Sequence, residues 1–282
     1  MNNGSTFRRL LIGSTYTWMV VLAIIPYLIL LGASFVDRSE QDGFHLSLAN
    51  YGHLLSPEVF SMAADSIGMA AMAALLCLLV GYPFALILAQ APARMQPLLL
   101  LLVMIPFWTN SLIRTYALVM MLKADGIINA ILLSLGLIDK PLQLMYTPLA
   151  VFIGLVYTLL PFMILPLYAA LKALDPRLLE AGRDLGASRL NAFFRITVPL
   201  TMPGIIAGTM LVFLPALGMF YVADVLGGSK AMLLGNFIRD QFLVYRNIPM
   251  GSAASVTMTV AMGLMLVLHH LAGRRLGKEG MQ

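Results

Sequence analysis

Six polar or aromatic side chains lie inside or beside stretches of the chain that are otherwise apolar. They are Asp65, Trp108, Asn110, Arg114, Tyr221 and Asp224. An ionisable group within an apolar span costs several kcal/mol unless it faces protein or water, so such groups are candidates for contact with a transported solute. We therefore expect this set to lie along a path through a membrane.

Three of these residues also have a structural interpretation. Arg114 shares a helix face with Asn110, and an ion pair with an acid would also explain its charge. Asp65 can serve as an N-cap at the membrane interface, and Trp108 can serve as an interfacial anchor. The sequence leaves both interpretations open for each residue.

No residue pattern predicts catalysis or a metal site. The chain has no G-x-x-x-x-G-K-[ST] phosphate loop, no H-E-x-x-H and no nucleophile elbow. Its one cysteine lies in an apolar run, and its histidines lack a metal-ligand spacing. These residues are Cys77, His45, His53, His269 and His270. We predict a non-catalytic chain that holds no metal or cofactor.

Six apolar stretches are long enough to cross a bilayer as helices, which takes about 20 residues each. Hydrophobic residues make up 60% of the chain and charged residues 11%. The predicted spans are approximately residues 15–35, 66–89, 98–121, 148–171, 201–222 and 252–272. The first is too long for a signal-peptide core and lacks a cleavage site, so we expect it to be retained. The prediction is an all-α integral membrane protein forming one domain, residues 1–282.

The basic residues predict the orientation of these spans, because short cytoplasmic loops are enriched in lysine and arginine. With six spans, both termini share one side with the loops at 90–97 and 172–200. That side holds 11 of the 18 basic residues and has a net charge of +7, against −2 on the other side. We therefore place both termini in the cytoplasm. The overall charge of +5 reflects topology and not nucleic-acid binding.

The stretch between the fourth and fifth spans, residues 173–199, is polar and predicts two short helices. Asp175 can cap the first, Pro176 suits its first turn, and Gly186 can end it in a left-handed conformation. Ser188 can cap the second helix. An apolar stripe on that helix consists of Leu190, Phe193, Phe194 and Val198. The stripe must pack against either the chain's own spans or a cytoplasmic partner.

The same stretch contains a spacing typical of one family. Glu180-Ala181-Gly182, Gly186, Ile196 and Pro199 resemble the EAA loop, roughly E-A-A-x3-G-x9-I-x-L-P, of membrane subunits of binding-protein-dependent ABC importers. Gly182 departs from the usual alanine, and Val198 departs from the usual leucine. The glycine costs about 1 kcal/mol of local helix propensity.

The chain also resembles the spermidine/putrescine importer permeases in four longer stretches. These are Ile105–Ala117, Met145–Leu171, Leu174–Ser188 and Val198–Gly208. The similarity extends from about Tyr27 to Leu271 and is closest to the first of the two permeases in such importers. It implies the ABC type I importer permease fold, in a multi-pass protein of the bacterial inner membrane.

The resemblance further implies partners for each side of the membrane. The loop would dock on a cytoplasmic ATPase dimer that binds ATP and Mg, through Glu180, Ala181, Gly182, Asp184, Gly186 and Arg189. A second, related permease would complete a heterodimer. A periplasmic substrate-binding protein would meet the outer segments 36–65, 123–147 and 223–251.

A polyamine is a flexible multiple cation, which carboxylates and the aromatic faces of Tyr221 or Trp108 would suit. Arg114 fits a cation path less well, because it repels positive charge. An importer for another small organic solute remains an alternative, since related groups share much of the pattern. An ion-driven secondary transporter is a second alternative, although the spans lack paired acids for an ion relay.

Overall fold

The structure, a computed structural model, describes residues 3–39, 43–228 and 233–279. These residues divide into two compact units. One contains the described residues of Met1–Phe60 and Phe237–Met265, and the other contains those of Ser61–Asn236 and Leu266–Gln282.

The chain begins with the long apolar helix α1 (Asn3–Ser34), followed by the strands β1 (Val36–Ser39) and β2 (Gly43–Leu46) and the short helix α2 (Ala49–Leu54). The strands pair antiparallel as a two-stranded ribbon, which the sequence analysis did not predict. The Asn50 side-chain amide donates hydrogen bonds to the carbonyl oxygens of Ser34 and Val36, at 3.2 and 2.9 Å. These bonds tie α2 to the end of α1 and the start of the ribbon.

The remaining helices include every later membrane-span candidate. They are α3 (Pro57–Gln90), α4 (Gln96–Trp108), α5 (Ser111–Leu122), α6 (Ile127–Ser134), α7 (Pro148–Lys172), α8 (Pro176–Asp184), α9 (Arg189–Ala192), a π-helical turn (Phe193–Thr197), α10 (Val198–Leu200), α11 (Met202–Gly218), α12 (Phe220–Gly227), α13 (Leu234–Leu243) and α14 (Ile248–Glu279). Within the described residues, five helical segments are long and apolar enough to cross a membrane. The number is six if the bent pair Arg189–Leu200 and Met202–Gly218 forms one span. The predicted helical, multi-span architecture is thus confirmed.

The predicted third span, residues 98–121, is two helices and not one. α4 ends after Pro106, and α5 begins after Asn110, whose side chain accepts a hydrogen bond from the Leu112 N–H at 2.8 Å. Asn110 therefore acts as an N-cap and starts a new helix inside an apolar run. The long candidate span here is Ser111–Ser134, with Gln96–Trp108 as a shorter apolar helix.

Helices α7 and α11 pack closely because glycines remove side chains from their contact. A Cβ atom at Gly204 would lie 2.8 Å from the Pro166 carbonyl oxygen and 2.5 Å from the Ala170 Cβ. A Cβ atom at Gly208 would lie 2.7 Å from the Met163 sulfur. Small residues that let backbones approach are typical of helix contacts in membranes. They also place the polar loop between α7 and α11 at the end of a tightly packed helix pair.

Helix α7 is also the support for α12. Its Gly154 faces the side chains of Val222 and Leu226, with no room for a Cβ atom between them. The predicted fifth span, 201–222, is interrupted at Met219, where α11 ends and α12 begins. The chain reaches this break shortly after Pro215, which cannot donate a helical hydrogen bond.

Candidate functional site

The polar loop has the local structure that its sequence predicts. Asp175 caps α8 by accepting a hydrogen bond from the N–H two residues later, at 3.0 Å, and Pro176 occupies the first turn. Gly186 follows α8 with a φ of 85°, a left-handed conformation that glycine adopts without strain. Ser188 caps α9 by accepting from the N–H three residues later, at 3.3 Å. The three predicted helix boundaries, the two ends of α8 and the start of α9, are confirmed.

The predicted apolar stripe of the second helix is divided between a packed side and an exposed side. Phe193 and Val198 are half-buried, while Leu190 and Phe194 are 70% and 64% exposed. Part of the division comes from the π-helical turn Phe193–Thr197, which changes the residue period from that of an α-helix. Within the described residues, the chain itself therefore covers only part of the stripe, and packing of the exposed part against a cytoplasmic partner stays a prediction.

The loop residues assigned to coupling lie at the protein surface. Glu180, Ala181, Asp184, Gly186 and Arg189 are exposed, and Gly182 is half-buried. No residue of α8 is buried, and the neighbouring Leu185 is 90% exposed. A short helix with exposed charges beside exposed Leu185, Leu190 and Phe194 has the composition of a docking surface that combines an apolar centre with a polar rim.

Gly182 has a packing role that accounts for its departure from the alanine of the motif. A Cβ atom at this position would overlap the end of the Ile196 side chain, which comes from the π-helical turn. The two short helical segments of the loop therefore touch at the motif glycine. An alanine at this position would therefore require the end of the Ile196 side chain to move.

A buried polar contact joins the loop to α3 where the chain bends. The bend between Arg189–Leu200 and Met202–Gly218 is 67°, and Thr201 lies between these segments. Thr201 Oγ1 donates to the Thr197 carbonyl at 2.8 Å and also bonds the Tyr82 hydroxyl at 2.8 Å. The Tyr82 ring makes an edge-on contact with Phe193, with centroids 5.4 Å apart. One side chain of α3 thus contacts both the loop and the bend.

We expect Tyr82→Phe to reduce the stability of the protein by about 0.5–1.5 kcal/mol, because it removes one buried hydrogen bond and keeps the ring contact. The measurement is thermal unfolding of the purified protein in detergent. Tyr116→Phe is the control, because Tyr116 lies exposed on α5. Equal unfolding temperatures for both variants and the original protein would contradict a stabilising role for the bond.

Arg114 is buried among aromatic rings. It is 7% exposed, and its guanidinium carbon lies 5.8 Å from the centre of the Phe107 ring and 5.9 Å from that of Tyr157. No carboxylate in the described part of the chain forms an ion pair with it, and its Nε and Nη1 atoms lack hydrogen-bond partners there. The ion-pair interpretation is therefore not met among the residues that the structure describes, where two aromatic faces provide the attraction instead.

Asp65 lines an open cavity and does not cap a helix. α3 begins at Pro57, so Asp65 lies well inside the helix and the N-cap interpretation is wrong. The cavity has a volume of about 510 Å³, and Met69, Met72 and Tyr146 also line it. A carboxylate beside sulfur atoms and an aromatic ring can receive a cation, which favours the path interpretation of Asp65.

Asp224 and Tyr221 lie on α12, one turn apart. Asp224 is exposed, and its Oδ1 accepts a hydrogen bond from the Asn236 side chain at 3.1 Å. The Asn236 side chain also accepts from the Leu233 N–H, so α12 and the start of α13 are tied together. The Tyr221 hydroxyl is buried and makes no hydrogen bond to the described residues. Trp108, at the end of α4, is 73% exposed, as an interfacial anchor would be.

The six path candidates do not form a single cluster. Neither Arg114 nor Asp224 lines the cavity beside Asp65. Sequence reasoning missed Tyr157 and Asn236, which contact Arg114 and Asp224 from distant parts of the chain. No local pattern marks these two residues, because each pairing depends on the packing of α7 or α13. Among the described residues, no group of three or more His, Cys, Asp or Glu side chains could hold a metal ion.

The sequence is similar to polyamine permeases over nearly its whole length. The spermidine/putrescine transport system permease protein PotB of Escherichia coli (strain K12) is 52% identical over 264 residues, covering 93% of this chain and 96% of the relative. The protein of the same name from Salmonella typhimurium (strain LT2) is 50% identical over 281 residues, covering 99% and 98%. That of Haemophilus influenzae (strain Rd) is 46% identical over 275 residues, covering 97% and 96%.

The fold is shared with a chain of a solved transporter. In the bacterial alginate ABC transporter, crystallised with a periplasmic protein bound to an alginate pentasaccharide, this chain matches with a TM-score of 0.79 at 16% identity. The match covers 98% of this chain and 96% of the other, and it shows the ABC importer permease fold. The sequence profile described as "Binding-protein-dependent transport system inner membrane component" matches residues 81–278. The chain therefore belongs to the binding-protein-dependent transport system inner membrane components, a family of multi-pass membrane proteins.

Proposed function

We propose that this chain forms part of the translocation path of an ATP-driven importer for linear polyamines such as spermidine and putrescine. The observation that carries the proposal is identity of 46–52% to named spermidine/putrescine permeases over nearly the full length of both chains. Acidic and aromatic side chains at the cavity beside Asp65 and on α12 agree with a cationic solute.

In this proposal the chain is not an enzyme, and its partners supply the energy and the solute. A cytoplasmic ATPase dimer binds ATP and Mg and docks on the loop that carries Glu180 and Gly186. A related second permease completes the path, and a periplasmic substrate-binding protein delivers the solute to the outer segments. The exposed charged and apolar residues of the loop support the docking of the ATPase.

The path itself would use Asp65, Trp108, Asn110, Tyr221 and Asp224. Asp65 supplies a carboxylate to an open cavity, and Asp224 supplies a second, exposed carboxylate on α12. The Asn110 side chain already caps α5, so its role in the path would be to stabilise the break between α4 and α5 and not to bind the solute. Arg114 would not bind the solute, because a buried positive charge beside the path repels an ammonium group.

The test is to purify the tagged chain from its native membrane with the proteins that accompany it and to identify these by mass spectrometry. We expect an ATPase and a second permease. ATP hydrolysis by the reconstituted complex, with its binding protein, should rise with spermidine or putrescine and not with neutral solutes of similar length. Stimulation by a different solute would overturn the polyamine assignment and keep the importer.

A secondary transporter would behave differently in the same preparation. Uptake by the purified chain alone, driven by an ion gradient without ATP, would replace the proposal with ion-driven transport. Recovery of the chain without an ATPase after crosslinking would point the same way.

We expect Asp224→Asn to reduce the rate of spermidine uptake about tenfold or more, because it removes one negative charge that a passing ammonium group can contact. The asparagine oxygen can still accept the hydrogen bond from Asn236, so the shape of this region should persist. The measurement is uptake of radiolabelled spermidine by proteoliposomes. Glu279→Gln, at the last residue of α14 and outside the outer segments, is the control with the same loss of charge. Unchanged uptake in Asp224→Asn would remove this carboxylate from the path.

A further inference from the structure

A cavity of about 540 Å³ lies between the ends of α3 and α7 and the polar loop, and we refer to it as the basic cavity. Its polar wall contains Lys172 at the end of α7, Arg183 on α8 and Arg189 on α9. Its apolar wall includes Leu86, Leu171 and Phe193. The volume is in the range of about 300–1,000 Å³ that holds small organic ligands.

The charge of the basic cavity has one sign. Three cationic side chains line it, and no acidic side chain does. The loop nevertheless carries acids, because Asp175 caps α8 and both Glu180 and Asp184 lie on it. These carboxylates are exposed outside the cavity lining. No carboxylate in the described part of the chain pairs with the three cations. The cavity therefore attracts an anion.

The apolar wall narrows the choice of anion. Leu86 and Leu171 lie in the last turns of α3 and α7, which are both candidate membrane spans. The apolar side of the cavity is thus continuous with the ends of helices that cross the hydrocarbon core. A ligand that fits both walls has an anionic head and an apolar tail.

We propose that the basic cavity binds an anionic phospholipid of the surrounding membrane, with its phosphate group beside Lys172, Arg183 and Arg189. Basic pockets at the cytoplasmic ends of membrane helices suit the head groups of acidic lipids. A free phosphate would satisfy the cations but would leave the leucine and phenylalanine side chains in contact with water. The proposal goes beyond solute transport and does not depend on which solute the importer carries.

The location gives the bound lipid a role. α8 and α9 carry the residues assigned to contact with the ATPase, and the cavity lies between these helices and α3 and α7. A head group bound to Arg183 and Lys172 would join α8 to the end of α7 by charge. The lipid would thereby hold the coupling loop against the membrane spans.

The experiment is native mass spectrometry of the intact importer complex after removal of bound lipid with detergent. The complex is titrated separately with phosphatidylglycerol and with phosphatidylcholine, and lipid adducts are counted. We expect phosphatidylglycerol to bind more tightly than phosphatidylcholine. Lys172→Gln and Arg183→Gln should each weaken phosphatidylglycerol binding about fivefold, the contribution of one basic residue near a membrane surface.

The matched control is Arg177→Gln, which removes the same charge from α8 at an exposed position outside the cavity lining. This variant should bind phosphatidylglycerol as the original protein does. A second variant, Ala89→Phe, fills the apolar wall without changing any charge and should also weaken binding. Ala89→Phe still tests lipid binding if the Lys172→Gln and Arg183→Gln chains fail to assemble into the importer complex.

Three results would overturn the proposal. They are equal binding of the two lipids, an equal loss of binding in Arg177→Gln and in the cavity variants, and unaltered binding in Ala89→Phe. Displacement of phosphatidylglycerol by an equal concentration of inorganic phosphate would identify a free anion as the ligand instead. Spermidine uptake, measured in parallel, distinguishes these outcomes from a failure of the transport function.

Discussion

Glu180→Lys is expected to abolish ATP-driven uptake while leaving the protein folded in the membrane. Glu180 is exposed in the middle of α8, where no residue is buried, so the change should alter the free energy of unfolding by only about 0.5 kcal/mol. At an interface with the ATPase, reversal of a desolvated charge costs about 2–5 kcal/mol or more. Docking should then weaken by roughly 30-fold or more.

Two measurements, each expressed per amount of chain present in the membrane, separate loss of docking from loss of the protein. Uptake of spermidine by proteoliposomes should fall to background, and the amount of ATPase that copurifies with the chain should fall with it. Glu279→Lys makes the same change of charge at the last residue of α14, outside both the polar loop and the outer segments, and it should retain both uptake and the ATPase. Normal uptake by the Glu180→Lys protein would refute the coupling role of the loop.

Gly204→Leu is expected to prevent stable folding. The Cβ atom alone would lie 2.8 Å from the backbone oxygen of Pro166 and 2.5 Å from the Ala170 Cβ, and a backbone atom cannot turn aside as a side chain can. The helices α7 and α11 would have to separate. We expect a loss of about 3 kcal/mol or more, at the upper end for overpacked cores.

The measurement is the fraction of monodisperse protein after extraction in detergent, together with its unfolding temperature. Gly204→Ala should show an intermediate loss, because it adds only the first of the clashing atoms. Gly263→Leu, in α14, is the control, because a Cβ atom there meets no other atom within 4 Å. Equal recovery of Gly204→Leu and Gly263→Leu would contradict the close packing of α7 on α11.

The polar loop was the most predictable part of the fold. Its boundaries depend on residues next to them in the chain, namely Asp175, Gly186 and Ser188, and each acts through its own backbone or a near neighbour. The apolar spans were predictable for the same reason, since length and composition decide whether a helix can cross a bilayer. Local chemistry therefore accounts for the helical architecture and for the local structure of the polar loop.

The surroundings of the path candidates were less predictable, because they depend on packing between distant segments. For Arg114 the sequence left an ion pair and a path role open, and the structure places its guanidinium near the rings of Phe107 and Tyr157. Asp65 could be an N-cap only if α3 began near it, and the helix extends two turns further towards Pro57. Asn110 was considered as a residue of a continuous helix, whereas its side chain starts a new one. In each case the sequence identified an unusual residue and not its neighbours.

The break between α4 and α5 affects how the ribosome-bound chain enters the membrane. At 1.5 Å per residue, α4 is about 20 Å long and α5 about 18 Å, so each is shorter than the roughly 30 Å hydrocarbon core. Neither helix can therefore span the bilayer alone. The unit that is inserted is either α4 with α5 or α5 with α6, the candidate span Ser111–Ser134.

Residues at the break between α4 and α5 form hydrogen bonds with one another. Thr109 Oγ1 donates to the Pro106 carbonyl at 2.7 Å, and the Asn110 side chain accepts from the Leu112 N–H. Two backbone groups freed at the break thus have partners within three residues and need no bond to another helix. The segment can therefore keep its broken form in the bilayer until α7 is synthesised. Helix α7 then packs against both α4 and α5 and places Tyr157 beside Arg114.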